Sequence, residues 1–386
     1  MTTEVYLDNS ATTRCCDAAI ETMTKVLGTD YGNPSSLHNK GMEAEVYLKN
    51  ARKTIAQSLK AEEKEIIFTS GGTESDNLAL IGAALANSRR GKHVITTSIE
   101  HPAVEMPMQY LEELGYEISR LSVGSDGRID LQELEELLRE DTILVSIMHV
   151  NNEIGTIEPI AEAGELIKKK SPEILFHVDA IQSYGKIPIV PKKQNIDLLA
   201  VSGHKIHGPK GSGFLYCRKG VKIKPRNLGG GQESGYRSGT ENVPAIAGLS
   251  EAVSLILKKQ QEHLDNWYRQ RKLFSKRLLA IPGVSINGAF DENQAPYIVS
   301  VSVENVRAEV LLHALEEKGI YVSAGSACSS NRPQTSRTLQ AIGLDRELLD
   351  KTIRFSFSVF TTDEELLYAA DCMEELVPQL SRYRRY

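Results

Sequence analysis

Lys205 follows the apolar run Ile196 to Val201 and lies in the small-residue stretch SGHKIHGPKGSG. A lysine at the end of a buried strand is partly desolvated, which disfavours its ammonium form. A neutral amine can attack an aldehyde, so Lys205 is a candidate Schiff-base residue, with a surface loop lysine as the ordinary alternative. Asp179 ends a second apolar run, in HVDAIQS. An acid there can sit under a pyridine ring and keep its nitrogen protonated, turning the ring into an electron sink. The alternative is a helix N-cap. Gln182, three residues on, can hydrogen-bond a ring hydroxyl. The stretch Thr69 to Ser75, TSGGTES, separates a strand pattern from a helix pattern. Its glycines allow close backbone approach and the helix start offers free N–H groups, which together make a phosphate cradle with the Thr73 hydroxyl as a further donor. No dinucleotide fingerprint is present here, which argues against a nicotinamide enzyme. His101, in IEHPAV, can stack on a planar group and shuttle protons.

His204 and His207 are three apart, a spacing that suits metal ligation, but no third ligand is evident. The five cysteines are Cys15, Cys16, Cys217, Cys328 and Cys372. Their odd count and irregular spacing suggest neither a disulfide framework nor a CxxC zinc site. They read as reduced cytosolic thiols, one of which can be a nucleophile.

Short β-rich runs alternate with helical stretches through the first two-thirds of the chain. Strands are expected at Glu65 to Thr69, Lys92 to Thr97, Tyr116 to Ser122, Thr142 to Val150, Ile174 to Val178 and Ile196 to Val201. Helices are expected at Glu74 to Asn87, Glu105 to Leu114 and Leu131 to Arg139. The continuous apolar runs suit strands buried on both faces of a mainly parallel sheet, and the alternation argues for α/β architecture. From Ala245 to Ala280 the pattern is mostly helical, around the only tryptophan, Trp267. Smaller strands and helices resume at Val284. The expected division is a large domain over 15–255 and a smaller α+β domain formed by 1–14 and 256–386. The Gly-rich stretch GGGQESGYRSGT reads as a site loop.

The 386 residues exceed one small core, and 41% hydrophobic with 25% charged residues is ordinary for a folded chain. A net charge of −6 lacks the basic footprint of direct nucleic-acid binding. No apolar run can span a bilayer, and the start, MTTEVYLDNSATT, has no basic stretch followed by an apolar one. The expectation is a cytoplasmic protein without membrane attachment.

Taken in order, these segments resemble the pyridoxal-phosphate cysteine desulfurases that supply sulfur for iron–sulfur clusters, within the fold-type I aminotransferase superfamily. The resemblance runs almost end to end. It is carried by LDNSATT (7–13), YGNPSSLH (31–38), FTSGGTESDN (68–77), EHPAV (100–104), NNEIG (151–155), HVDAIQS, SGHKIHGPKG, RSGTEN (237–242), SAGSACSS (323–330) and IRFS (353–356).

The resemblance implies that Lys205 carries the cofactor as a Schiff base. Asp179 would pair with the pyridine nitrogen and His101 would stack on the ring. Asn152 and Gln182 would contact the ring oxygen. Gly72, Thr73, Ser202 and His204 would hold the phosphate, with Thr240 reaching it from the other subunit of a homodimer. Arg354 would grip the carboxylate of L-cysteine, a task suited to a guanidinium fork, with Asn33 lining the same pocket. Cys328 would take the substrate sulfur as a persulfide, on a loop (323–336) whose small and polar residues favour mobility, and pass it to an acceptor protein. The acceptor could be an iron–sulfur scaffold or a tRNA-thiolation enzyme. Cys328 could also be a transient iron–sulfur ligand, since soft thiolates suit that role.

Arg14 stands where the family usually has proline, Ser234 where a basic residue is common, and Ser358 where glycine is common. The last two changes put rate and preferred acceptor in doubt. The ending, RYRRY, shows no scaffold-docking tail of the housekeeping kind. A selenocysteine lyase or an aminotransferase of the same fold is the alternative within the class, although a transaminase would not need Cys328. A non-catalytic sulfur-transfer module would be marked by loss of Lys205 or Cys328, and both are present.

Overall fold

A computed structural model describes residues 4–289, 291–324 and 335–382 of the 386. Its central feature is a seven-stranded sheet. In spatial order the strands are Ile66–Thr69, Gly213–Cys217, Leu198–Ser202, Leu175–Asp179, Thr142–Met148, His93–Thr97 and Glu117–Leu121. All neighbours are parallel except those of Gly213–Cys217, which runs antiparallel to both strands beside it.

The apolar runs work as expected. Along successive strands, Val145, Phe176, Val178, Leu199 and Val201 join one apolar cluster, while Leu144, Leu175, Leu198 and Leu215 join another. Strand side chains alternate between faces, so two clusters mean that both faces are covered. Only the edge strand Glu117–Leu121 is largely accessible. The expected α/β class and parallel sheet are therefore present. Gly213–Cys217 was not anticipated as a strand. It follows the glycines of the Lys205 segment and returns along Leu198–Ser202 from Ser202↔Gly213 to Leu198↔Cys217.

Element ends shift modestly. The helix expected from Glu74 begins at Gly72 and runs Gly72–Asn87, directly after the strand that precedes it. The helix expected from Glu105 is Pro102–Glu113, with proline in its first turn and His101 as N-cap. The long helical stretch is two helices, Val243–Lys258 and Gln260–Leu278.

Beyond them, Ser323–Ala324, Thr352–Ser356, Ile298–Val303 and Val284–Asn287 form a four-stranded antiparallel sheet in that order. Val5–Tyr6 pairs in parallel with Ile320–Tyr321. Val5 and Leu7 belong to the same apolar cluster as Trp267, Phe274, Val299, Phe355 and Met373. The N-terminal residues are thus packed with the C-terminal α+β region.

Candidate active site

The C-terminal ends of the parallel strands face a cavity of about 280 Å3. Open α/β sheets bind ligands at this end. Lys205, Asp179, His101, Gly72, Thr73, Asn152, Gln182, Ser202, His204 and Arg354 all line it, together with Ser10 and Ala11. Ten residues from six segments of the chain therefore converge. Thr240 and Asn33 do not: both are exposed and lie outside the lining. Asn33 is committed to its own turn, where Oδ1 accepts from the Ser35 amide at 2.9 Å. Cys328 lies outside the described residues.

Lys205 ends the short 3-10 turn Gly203–Lys205 that caps Leu198–Ser202. Its Nζ donates to Ser10 O at 2.6 Å and to Ala11 O at 2.8 Å. The LDNSATT segment thus forms one wall of the cavity and directs the amine. Gln182 Nε2 donates to the same Ser10 carbonyl at 2.9 Å, and Gln182 Oε1 is buried without a hydrogen-bond partner among the described residues.

Asp179 is the last residue of Leu175–Asp179, and Oδ1 accepts from the Ile181 amide at 2.9 Å. Burial, reinforced by the nearby Asp76 carboxyl, pushes its pKa up to about 8. An acid in such a place stays ionised at neutral pH only beside a cation, and a pyridinium N–H is a matching partner. Sequence reasoning missed the polar layer around it. Asp76 Oδ1 stands 3.3 Å from His177 Nε2, without hydrogen-bond alignment, and both side chains are fully buried. His177 Nδ1 pairs with Ser146 Oγ at 2.9 Å. The available signal was the alternation of His177 with Asp179, which puts both on one face of a strand.

The phosphate end is equally built. Gly71 has φ +149, and Gly72 opens the helix Gly72–Asn87, whose first N–H groups lack intrahelical acceptors, while Gly72 and Thr73 line the cavity. A Cβ on Gly72 would stand 2.1 Å from Ile181 Cδ1. Ser202 and His204 complete this corner, and His204 Nδ1 is 3.1 Å from Thr12 Oγ1. Burial and the Lys205 charge lower the His204 pKa to about 4, and the same two causes bring His101 to about 4. Both imidazoles are neutral at pH 7. His101 Nδ1 accepts from the Ala103 amide at 3.1 Å, which fixes the ring over the cavity mouth.

Arg354, buried on Thr352–Ser356, donates from Nη1 to Asn152 O at 2.7 Å and from Nη2 to Asp8 Oδ1 at 2.8 Å. Asp8 was visible in the LDNSATT motif, but nothing local showed its partner. His204 and His207 gain no third ligand, since no group of three potential metal ligands occurs among the described residues. Cys16, Cys217 and Cys372 are buried, and burial raises the thiol pKa of all three, Cys217 to about 12. A raised thiol pKa disfavours the nucleophilic thiolate. Neither Ser234 nor Ser358 lines the cavity.

A parallel sheet whose strand ends present an amine, a buried acid, a helix start and an arginine defines an α/β enzyme site for an anionic aromatic aldehyde and a carboxylate substrate. The comparisons agree. The Aminotransferase class-V family model matches residues 5–368, and this chain belongs to that family. The chain is 43% identical over 387 aligned positions to a cysteine desulfurase IscS of Dictyoglomus turgidum, covering 100% of this chain and 98% of the relative. Among solved structures, a NifS-like protein superposes with TM-score 0.92 at 41% identity, covering 98% of this chain and 100% of the other. The structure titled SspA in complex with cysteine gives TM-score 0.81 at 35% identity, covering 92% and 99%. The fold is PLP fold-type I, and family and fold together imply pyridoxal phosphate as cofactor. The residues present fit that group, as the Asp179 environment, the orphan Gln182 oxygen and the glycine cradle show.

Proposed function

We propose that this protein is a pyridoxal-phosphate-dependent cysteine desulfurase that converts L-cysteine to L-alanine and holds the sulfur as a persulfide on Cys328. The observation that carries the reading is the convergence of Lys205, Asp179 and Arg354 on one cavity. Family membership and the names borne by relatives support the same chemistry.

In this reading Lys205 would hold the cofactor covalently, and its amine would carry a proton to or from the substrate Cα. Pyridoxal phosphate, when bound, supplies the electron sink for negative charge developing at Cα and Cβ. Asp179 holds the pyridine nitrogen protonated. His101, neutral at pH 7, stacks on the ring. Asn152 and Gln182 orient the ring oxygen, and Gly72, Thr73, Ser202 and His204 hold the phosphate. Arg354 fixes the substrate carboxylate. The Cys328 thiolate attacks the substrate Sγ: the S–S bond forms, the Cβ–Sγ bond breaks, its electron pair passes to Cβ, and a proton there completes alanine. Thr240, exposed in its own chain, serves the partner's phosphate site in a homodimer. The persulfide passes to a cytosolic acceptor, an iron–sulfur scaffold or a tRNA-thiolation enzyme, and Cys328 is a transient ligand of the nascent cluster in the first case. No helix among the described residues is long and apolar enough to cross a membrane.

The test is alanine and sulfide release from L-cysteine with dithiothreitol, for the wild type, Cys328→Ala and Lys205→Ala. The expected result is release by the wild type only, with the cofactor absorbance band kept in Cys328→Ala and lost in Lys205→Ala after dialysis. Equal release by Cys328→Ala would remove the persulfide step. A cofactor-loaded wild type inactive on cysteine but active on selenocysteine would favour the lyase.

A further inference from the structure

One tyrosine of the C-terminal region reaches the wall of the cavity by direct contact. Tyr297, directly before the strand Ile298–Val303, is fully buried and belongs to the apolar cluster of Trp267, Phe274 and Phe355. Its main chain is held, because Tyr297 O accepts from the Phe357 amide at 2.8 Å. Its ring is held as well. It packs edge-on against Trp267, with centroids 5.1 Å apart, and the ammonium of buried Lys186 lies over it, 4.7 Å from the centroid. The hydroxyl is therefore aimed, and it donates to Gln182 O at 2.9 Å.

That carbonyl belongs to the turn after Asp179. The turn's own hydrogen bonds end on the Ala180 and Ser183 carbonyls and leave that of Gln182 to a donor from outside. Gln182 is 4% exposed, and a buried main-chain acceptor is costly when unpaired. The same residue lines the cavity. Its Nε2 donates to Ser10 O at 2.9 Å, and that carbonyl also accepts from Lys205 Nζ at 2.6 Å. A glutamine amide has two N–H groups and one carbonyl oxygen. One N–H and Oε1, which has no partner among the described residues, are thus left to meet a ligand oxygen. Where they point depends on where the Gln182 main chain is fixed, and the phenol fixes it from 115 positions further along the chain.

We propose that Tyr297 is a positioning residue for the cofactor site: its hydroxyl pins the Gln182 main chain and so sets the Gln182 amide against the ring oxygen of the cofactor. The proposal rests on the reading of Gln182 as a contact to that oxygen. Tyr297 itself is not among the residues that line the cavity, and it acts through Gln182 alone.

The test is a double-mutant cycle on cofactor binding. Apoprotein of the wild type, Tyr297→Phe, Gln182→Ala and the double variant is titrated with pyridoxal phosphate and followed by absorbance. Phenylalanine keeps the ring, its contact with Trp267 and the face under Lys186, and removes only the hydroxyl. Gln182→Ala is expected to weaken binding by roughly 5- to 10-fold, the range of one hydrogen bond. Tyr297→Phe is expected to weaken it by roughly threefold or more, up to the Gln182→Ala value, and to move the absorbance band towards that of Gln182→Ala. The double variant is expected to match Gln182→Ala, because alanine has no amide to aim. Wild-type affinity in Tyr297→Phe overturns the proposal. So do losses that multiply in the double variant, the result a general loosening of the fold gives. A Tyr297→Phe chain that does not fold shows a structural role and overturns it as well. Gln182→Ala with the wild-type affinity and band removes Gln182 from the ring oxygen, and so overturns the reading on which the proposal rests.

Discussion

Arg354 Nη2 donates to Asp8 Oδ1 at 2.8 Å, across 346 positions of sequence. With Asn152 O on Nη1, this leaves the guanidinium held at two corners before any ligand arrives. A fork so held binds a carboxylate with little further loss of freedom. Lysine has one point charge and no fork. Arg354→Lys is therefore expected to raise KM for cysteine by roughly 10- to 100-fold, the range of one charged hydrogen bond. The cofactor spectrum should be unchanged. Steady-state kinetics checks this, and an unaltered KM would remove Arg354 from substrate binding.

Gly72 is tight because of Ile181, which also lines the cavity. A methyl at residue 72 must push the Ile181 side chain towards the cofactor space. Gly72→Ala is expected to weaken pyridoxal-phosphate binding by roughly 5- to 100-fold, the range of a small overpacking cost. Trimming the obstacle in Gly72→Ala/Ile181→Val should restore part of the affinity. Reconstitution of apoprotein followed by absorbance measures both.

Glu158 lies under the Ile129 amide, which donates to Oε2 at 3.0 Å, while Oε1 has no hydrogen-bond partner among the described residues. Burial raises its pKa to about 8. The sign follows from proton counting. Between its unfolded pKa and about 8 the native chain binds this proton and the unfolded chain does not, so its contribution to stability falls as pH rises through that window. Glu158→Gln lacks the titration. The melting temperature of the Gln variant relative to wild type should therefore climb from pH 5 to pH 8 and level off above. A constant difference across that range would show that Glu158 does not titrate there.

Much of the scaffold was legible because strand burial is a local property. Runs such as TILVSIM and LLAVS bury every side chain, and their short length and β-branched content suit strands. Gly213–Cys217 was harder to see. Its five residues look like the end of a glycine-rich loop, and its strand character depends on Leu198–Ser202 and Ile66–Thr69 lying on either side.

The sequence by itself determined the α/β class, the placing of Lys205 and Asp179 at strand ends, and the glycine turn before a helix. Each follows from side-chain periodicity or backbone freedom within a few residues. The tertiary structure alone decided that Ser10 O would orient Lys205, that Asp8 would hold Arg354, and that Lys186 would rest on Tyr297 rather than in solvent. These pairings join segments 111 to 346 positions apart, or bury a charge that composition places at the surface. Direction and partner in such cases come from chain crossings that no local pattern encodes.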